Sequence, residues 1–151
     1  MGSDNEEIMA HTLRPYQTAA IDDLRAALRQ GCRRPLLQLP TGAGKTMVAS
    51  EIISGVIRNR KRCLFLAPRR ELIYQARAAF ARKGIMCGVI MAGEHPSPLL
   101  DVQVASFDTL NARAINSARM ELPDAEVVIV DEAHTCAEGI SRGKHQRYRL
   151  L

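Results

Sequence analysis

Short apolar runs rich in β-branched residues, alternating with stretches of helical periodicity, predict an α/β fold in which a parallel sheet is flanked by helices. The junctions between them carry Gly and Pro, which marks them as turns. At 151 residues the chain suits one domain with a sizeable core.

The first helix is predicted from Pro15, where Ile21, Leu24 and Leu28 recur at three and four residues and Gly31 supplies the stop. "PLLQL" (Pro35 to Leu39) predicts the first buried strand. Lys45 to Ile57 then predicts a helix with an apolar stripe of Val48, Ile52, Ile53 and Val56. "RCLFLA" (Arg62 to Ala67) predicts a strand, Arg69 to Ala81 a helix, and "MCGVIM" (Met86 to Met91) a third strand. After the loop "AGEHPSP" come a fourth strand, "VQVAS" (Val102 to Ser106), and a polar helix from Phe107 to Ala118. "EVVIV" (Glu126 to Val130) completes the set, near-continuous in apolar residues as strands covered on both faces are.

Composition narrows the function classes. With 46% hydrophobic and 25% charged residues the chain is an ordinary globular protein. No window approaches a membrane-spanning length, and the acidic start "MGSDNEEIMAH" lacks the pattern of a signal peptide. Cys32, Cys63, Cys87 and Cys136 stand far apart without metal-ligand spacing, which predicts free thiols and a cytoplasmic location. The formal charge is +5, and "RNRKRCLFLAPRR" (Arg58 to Arg70) holds six basic residues and no acid. Nucleic acid is the commonest partner of such a patch, although alone the run reads first as a solvated surface.

"GAGKT" (Gly42 to Thr46) sits between a predicted strand and a predicted helix, the context a Walker A match requires. Gly42 and Gly44 allow the tight curve around Thr41 and Ala43 in which backbone N–H groups converge on phosphate. Lys45 would bridge the β and γ phosphates of ATP, and the Thr46 hydroxyl would ligate Mg²⁺. Leu39 stands where the pattern asks for its first glycine. In "VVIVDEAH", Asp131 follows an apolar strand and can hold Mg²⁺, while Glu132 can polarise the attacking water.

Taken in order, these stretches resemble superfamily 2 helicases and translocases, closest to the DEAH-box group of type III restriction subunits and excision-repair helicases. "LRPYQ" (Leu13 to Gln17) resembles the adenine-reading Q-type motif, "LPTGAGKT" motif I, "LAPRRELIYQ" motif Ia, "VASFDTL" motif Ib and "DEAH" motif II. The resemblance implies a RecA-like P-loop NTPase domain over residues 13–151, preceded by an appended or disordered leader at 1–12. It also implies ATP contacts from Arg14 and Gln17, nucleic-acid contacts from Arg69, Arg70, Ser106 and Thr109, and a coupling role for His134. For Ser106 and Thr109, capping of a strand end is an equal alternative. Leu39 is at ease in this company, because motif I of the family often lacks that glycine.

After motif II the resemblance implies a strand leading into motif III and a second RecA-like domain carrying an arginine finger, and the sequence ends before either. The expectation is therefore a partial N-terminal motor domain, nearly inactive by itself, that works on DNA, or on RNA, once joined to its second domain. A non-catalytic ATP-binding or adaptor module is the alternative. A P-loop metabolite kinase would leave "DEAH", "LRPYQ" and "PRREL" unexplained.

Overall fold

The computed structural model describes residues 12–95 and 97–134. They fall within two compact units, Met1–Val48 and Ala49–Leu151.

In the first unit, helix α1 (Pro15–Arg29) starts with proline at its first turn, where a missing N–H costs nothing. It ends in a Schellman pattern: Gly31 at φ +90° donates to the Leu28 carbonyl, and Cys32 donates to that of Ala27. Residues 35–39 form no strand, contrary to the expectation for "PLLQL". A strand exists only through a paired edge, and Pro35 and Pro40 remove a donor at each end of this run. Leu36 is accordingly 81% exposed. Helix α2 (Lys45–Arg58) begins in this unit and continues into the second.

The second unit is built on four parallel strands, β1 (Cys63–Ala67), β2 (Gly88–Ile90), β3 (Val102–Ser106) and β4 (Val127–Val130). Their order is β2-β3-β1-β4. Helix α3 (Arg70–Arg82) connects β1 to β2, and its amphipathic pattern places Ile73, Ala76, Ala79 and Phe80 inside. The period-two alternation of β1 divides its side chains between two cores. Cys63, Phe65 and Ala67 pack with Ala49, Ile53 and Val56 of α2 and with Ile73, Ala76 and Phe80 of α3. Leu64 and Leu66 pack on the other face with Ile90, Ala105 and Leu110. Phe65 and Phe80 meet edge to face with centroids 5.2 Å apart. Burial on both faces explains why β1 reads as an unbroken apolar run.

Two expectations change in this unit. The helix predicted over Phe107 to Ala118 is a four-residue α4 (Phe107–Leu110) that passes into a π-helical turn, Asn111–Asn116. The Ser117 hydroxyl reaches the Ala112 and Arg113 carbonyls at 2.8 and 3.1 Å, and Ala118 turns the chain at φ +51°. A serine competing for backbone carbonyls at the end of a helix stops its regular ladder. The second change is at β4, expected to be covered on both faces. It pairs with β1 alone among the described residues, and Val130 is 37% exposed. An edge position, invisible in composition, accounts for the difference.

Candidate nucleotide-binding site

In the first unit the Walker-type loop curves through two glycines in the left-handed region, Gly42 at φ +78° and Gly44 at φ +79°. The Ala43 N–H closes a turn onto the Pro40 carbonyl at 3.1 Å. Helix α2 follows at once: Met47 and Val48 donate to the Gly44 carbonyl at 2.9 and 3.1 Å. Lys45 and Thr46 therefore occupy the first turn of a 14-residue helix. That end carries the positive pole of the helix dipole and is suited to an anion. Thr41, Gly42 and Lys45 are exposed, whereas Ala43, Gly44 and Thr46 are half-buried.

Helix α1 reaches this loop through adjacent side chains. Gln17, only 4% exposed, accepts the Arg14 N–H on Oε1 at 2.8 Å and donates from Nε2 to the Ala43 carbonyl at 2.8 Å. The first bond caps α1 and the second ties the Q-type motif to the loop. The Tyr16 hydroxyl donates to the same carbonyl at 2.9 Å. Sequence reasoning missed Tyr16, although it adjoins Gln17 within "LRPYQ". Arg14 is exposed at the helix start.

In the second unit, parallel pairing brings three motifs to one edge of the sheet. Ala67, the last residue of β1, lies opposite Ser106, the last of β3. The Asp131 N–H continues the β4 ladder by donating to the Leu66 carbonyl at 2.8 Å. Arg69, Arg70, Ser106, Asp131 and Glu132 thus gather at the carboxyl ends of adjacent strands, where ligands bind open α/β sheets. Arg69 and Arg70 are exposed there, while Ser106 and Thr109 are 8% and 9% exposed.

Around "DEAH" the backbone is strained. Glu132 sits at φ +50°, which costs a non-glycine residue about 1 kcal/mol. Its N–H donates to Asp131 Oδ1 at 3.0 Å, and its Oε2 lies 3.4 Å from Nδ1 of the exposed His134. Strain of this kind collects at functional sites.

The basic run from Arg58 to Arg70 does not form one patch. Strand β1 divides it, leaving Arg69 and Arg70 at the motif-bearing edge and Arg62 at the opposite edge, facing Asp124 at 3.5 Å and Asp101 at 3.9 Å. The Arg62 N–H also binds the Glu126 carboxylate at 2.7 Å and holds it below the usual glutamate range.

Taken each in its own unit, the Thr46 hydroxyl of the first and the Asp131 carboxylate of the second are hard oxygen donors of the kind Mg²⁺ takes. No group of three His, Cys, Asp or Glu side chains is arranged to hold a metal among the described residues. Mg²⁺ commonly takes one or two protein ligands and completes its shell with phosphate and water, so it needs no such cage.

Residues 10–149 match the family model of the type III restriction enzyme res subunit. The chain belongs to this family. Its order of motifs agrees with the superfamily 2 resemblance, and the parallel sheet flanked by helices agrees with a RecA-like domain. Among curated proteins, it is 34% identical over 135 residues to Saccharomyces cerevisiae IRC3, which bears the name of an ATP-dependent helicase; the match covers 83% of this chain and 19% of the relative. A Schizosaccharomyces pombe protein named as a mitochondrial ATP-dependent helicase is 34% identical over 133 residues, 83% of this chain and 21% of the relative. The endonuclease subunit of the Escherichia coli type I restriction enzyme EcoKI is 30% identical over 143 residues, 87% of this chain and 12% of the relative. The chain thus spans about a fifth or less of the length of these relatives. The family model and the two helicase-named relatives together support a helicase-family domain. No described helix is long and apolar enough to cross a membrane.

Proposed function

We propose that this res-subunit-family chain is the ATP-binding motor domain of a nucleic-acid helicase or translocase, acting with a second RecA-like domain in the same or another chain. The observation that carries the reading is the Gly42–Gly44 curve feeding helix α2 at Lys45, a shape suited to the phosphates of ATP. Lys45 neutralises the β and γ phosphates. The Thr46 hydroxyl and Asp131 carboxylate would hold Mg²⁺, whose chemistry is to screen the charge of the triphosphate.

Glu132 serves as the base that orients water for attack on the γ phosphorus. His134, beside Glu132, relays the state of the nucleotide site to the motifs beyond. Arg69 and Arg70 grip a strand through its phosphates, with the Ser106 and Thr109 hydroxyls as further donors. DNA is the favoured strand, supported by the restriction-enzyme relative, and RNA is the other outcome of a binding assay. A cytoplasmic location belongs to the same proposal, supported by the free thiols of Cys32, Cys63 and Cys87.

Working rates of hydrolysis draw on an arginine from the second domain, since a finger of this kind is worth about 10³ to 10⁵ in rate. The 151-residue chain by itself is expected to bind nucleotide and turn it over slowly. The test is titration of ATP with Mg²⁺ onto the wild type and Lys45→Ala. Loss of affinity in the variant is expected; equal affinity contradicts the site.

A further inference from the structure

Two donors on neighbouring residues converge on one acceptor in the first unit. Tyr16 Oη and Gln17 Nε2 both donate to the Ala43 carbonyl, at 2.9 and 2.8 Å. A carbonyl oxygen has two lone pairs, so the bonds are compatible. Gln17 has a separate reason for its place, because its Oε1 caps α1 through the Arg14 N–H. Turning its amide over would set like against like at both ends, which fixes which atom faces the loop.

Tyr16 has no comparable hold in the core: it is 42% exposed. What its hydroxyl does for the loop follows from peptide geometry. The peptide joining Ala43 to Gly44 is trans. Its C=O and N–H consequently point in opposite directions. Fixing the Ala43 oxygen toward α1 directs the Gly44 N–H away from α1, as a donor for an anion seated in the curve.

We propose that Tyr16 is a positioning residue for the phosphate loop, its hydroxyl and the Gln17 amide together holding the Ala43–Gly44 peptide in the orientation that receives a polyphosphate. The inference rests on the proposed ATP-binding reading of that loop. It separates two tasks within "LRPYQ": the family resemblance gives Gln17 the base in addition to the bond it makes to the loop, whereas Tyr16 serves the loop alone. The Tyr16 contribution therefore falls on every ligand that carries the phosphate chain, whatever base is attached.

The test is equilibrium binding of ATP, GTP and inorganic tripolyphosphate, each with Mg²⁺, to the 151-residue chain as wild type, Tyr16→Phe and Lys45→Ala. Tyr16→Phe removes one oxygen from a half-exposed ring, and unchanged circular dichroism confirms that the fold is kept. It is expected to weaken ATP and tripolyphosphate by the same factor, about two- to tenfold as for one hydrogen bond, with the ATP-to-GTP ratio unchanged. Wild-type affinity of Tyr16→Phe for both ATP and tripolyphosphate overturns the proposal, as does a loss confined to ATP, which would assign the hydroxyl to the base. Lys45→Ala keeps the two failures apart. If Lys45→Ala binds both ligands like the wild type, the phosphate-site reading itself is wrong; if it loses them while Tyr16→Phe does not, only the role of Tyr16 is.

Discussion

Gln17 fills the space that a side chain at position 44 would need: a Cβ built on Gly44 collides with Gln17 Nε2. Gly44 is thus required twice, by its φ of +79° and by the amide that holds the preceding carbonyl. Gly42, at nearly the same φ, has nothing within 4 Å of an added Cβ.

The contrast predicts different penalties for two similar substitutions. Gly42→Ala should cost about 1 kcal/mol of backbone strain. Gly44→Ala should cost that and also expel the Gln17 amide from the loop, adding about 1 kcal/mol for the lost hydrogen bond. Urea denaturation of both variants, alone and combined with Gln17→Ala, measures this. The extra cost of Gly44→Ala should vanish in the Gln17→Ala background. Equal penalties in both backgrounds would show that the collision is relieved elsewhere.

Burial pushes the Cys63 thiol up to about 12 from its ordinary 9.0. A group that holds its proton more tightly when folded stabilises the native state below its unfolded value and loses that contribution as pH rises through the folded one. Stability measured by urea titration should therefore fall between pH 9 and 12, and Cys63→Ala should flatten that slope at some cost in stability at neutral pH. Alkylation should follow exposure: Cys32 first, then half-buried Cys87, with Cys63 protected until the chain unfolds. Rapid alkylation of native Cys63 would contradict its placement in β1.

Gly88 is needed for close approach. A Cβ there would lie 2.8 Å from the Ser97 carbonyl oxygen and 2.9 Å from Gln103 Cδ. The Gln103 amide cannot easily move aside, because its Nε2 donates to the Ser97 and Leu100 carbonyls at 2.8 and 2.9 Å. Gly88→Ala should destabilise the chain by about 1–3 kcal/mol. A thermal midpoint equal to that of the wild type would be inconsistent with this packing.

Much of the fold was legible because burial leaves a local imprint. The runs at 63–67, 102–106 and 127–130 announce themselves by apolar residues on both faces, and α1, α2 and α3 by their three-four spacing. The same signal misleads at Pro35 to Leu39, where side-chain hydrophobicity is present but pairing, which decides a strand, depends on neighbours far along the chain. It also misleads at β4, since edge position is a property of the sheet and not of the strand. The passage from α to π geometry after Leu110 leaves the apolar spacing unchanged, so periodicity does not register it. The site shows the same division. Loop glycines, Lys45 and "DEAH" are readable because chemistry fixes their spacing. The clasp between Tyr16 and Ala43 spans 27 residues and leaves no pattern.

The account stands or falls on whether the Walker-type loop and Asp131 serve one magnesium–triphosphate complex. Calorimetric titration of ATP with and without Mg²⁺, onto the wild type and Asp131→Asn, tests it most directly. Mg²⁺ should tighten ATP binding by the wild type on the order of tenfold, and Asp131→Asn should lose most of that gain while still binding metal-free ATP. An undiminished magnesium effect in Asp131→Asn would show that Asp131 holds no ion beside the nucleotide, and the proposed motor site would be wrong.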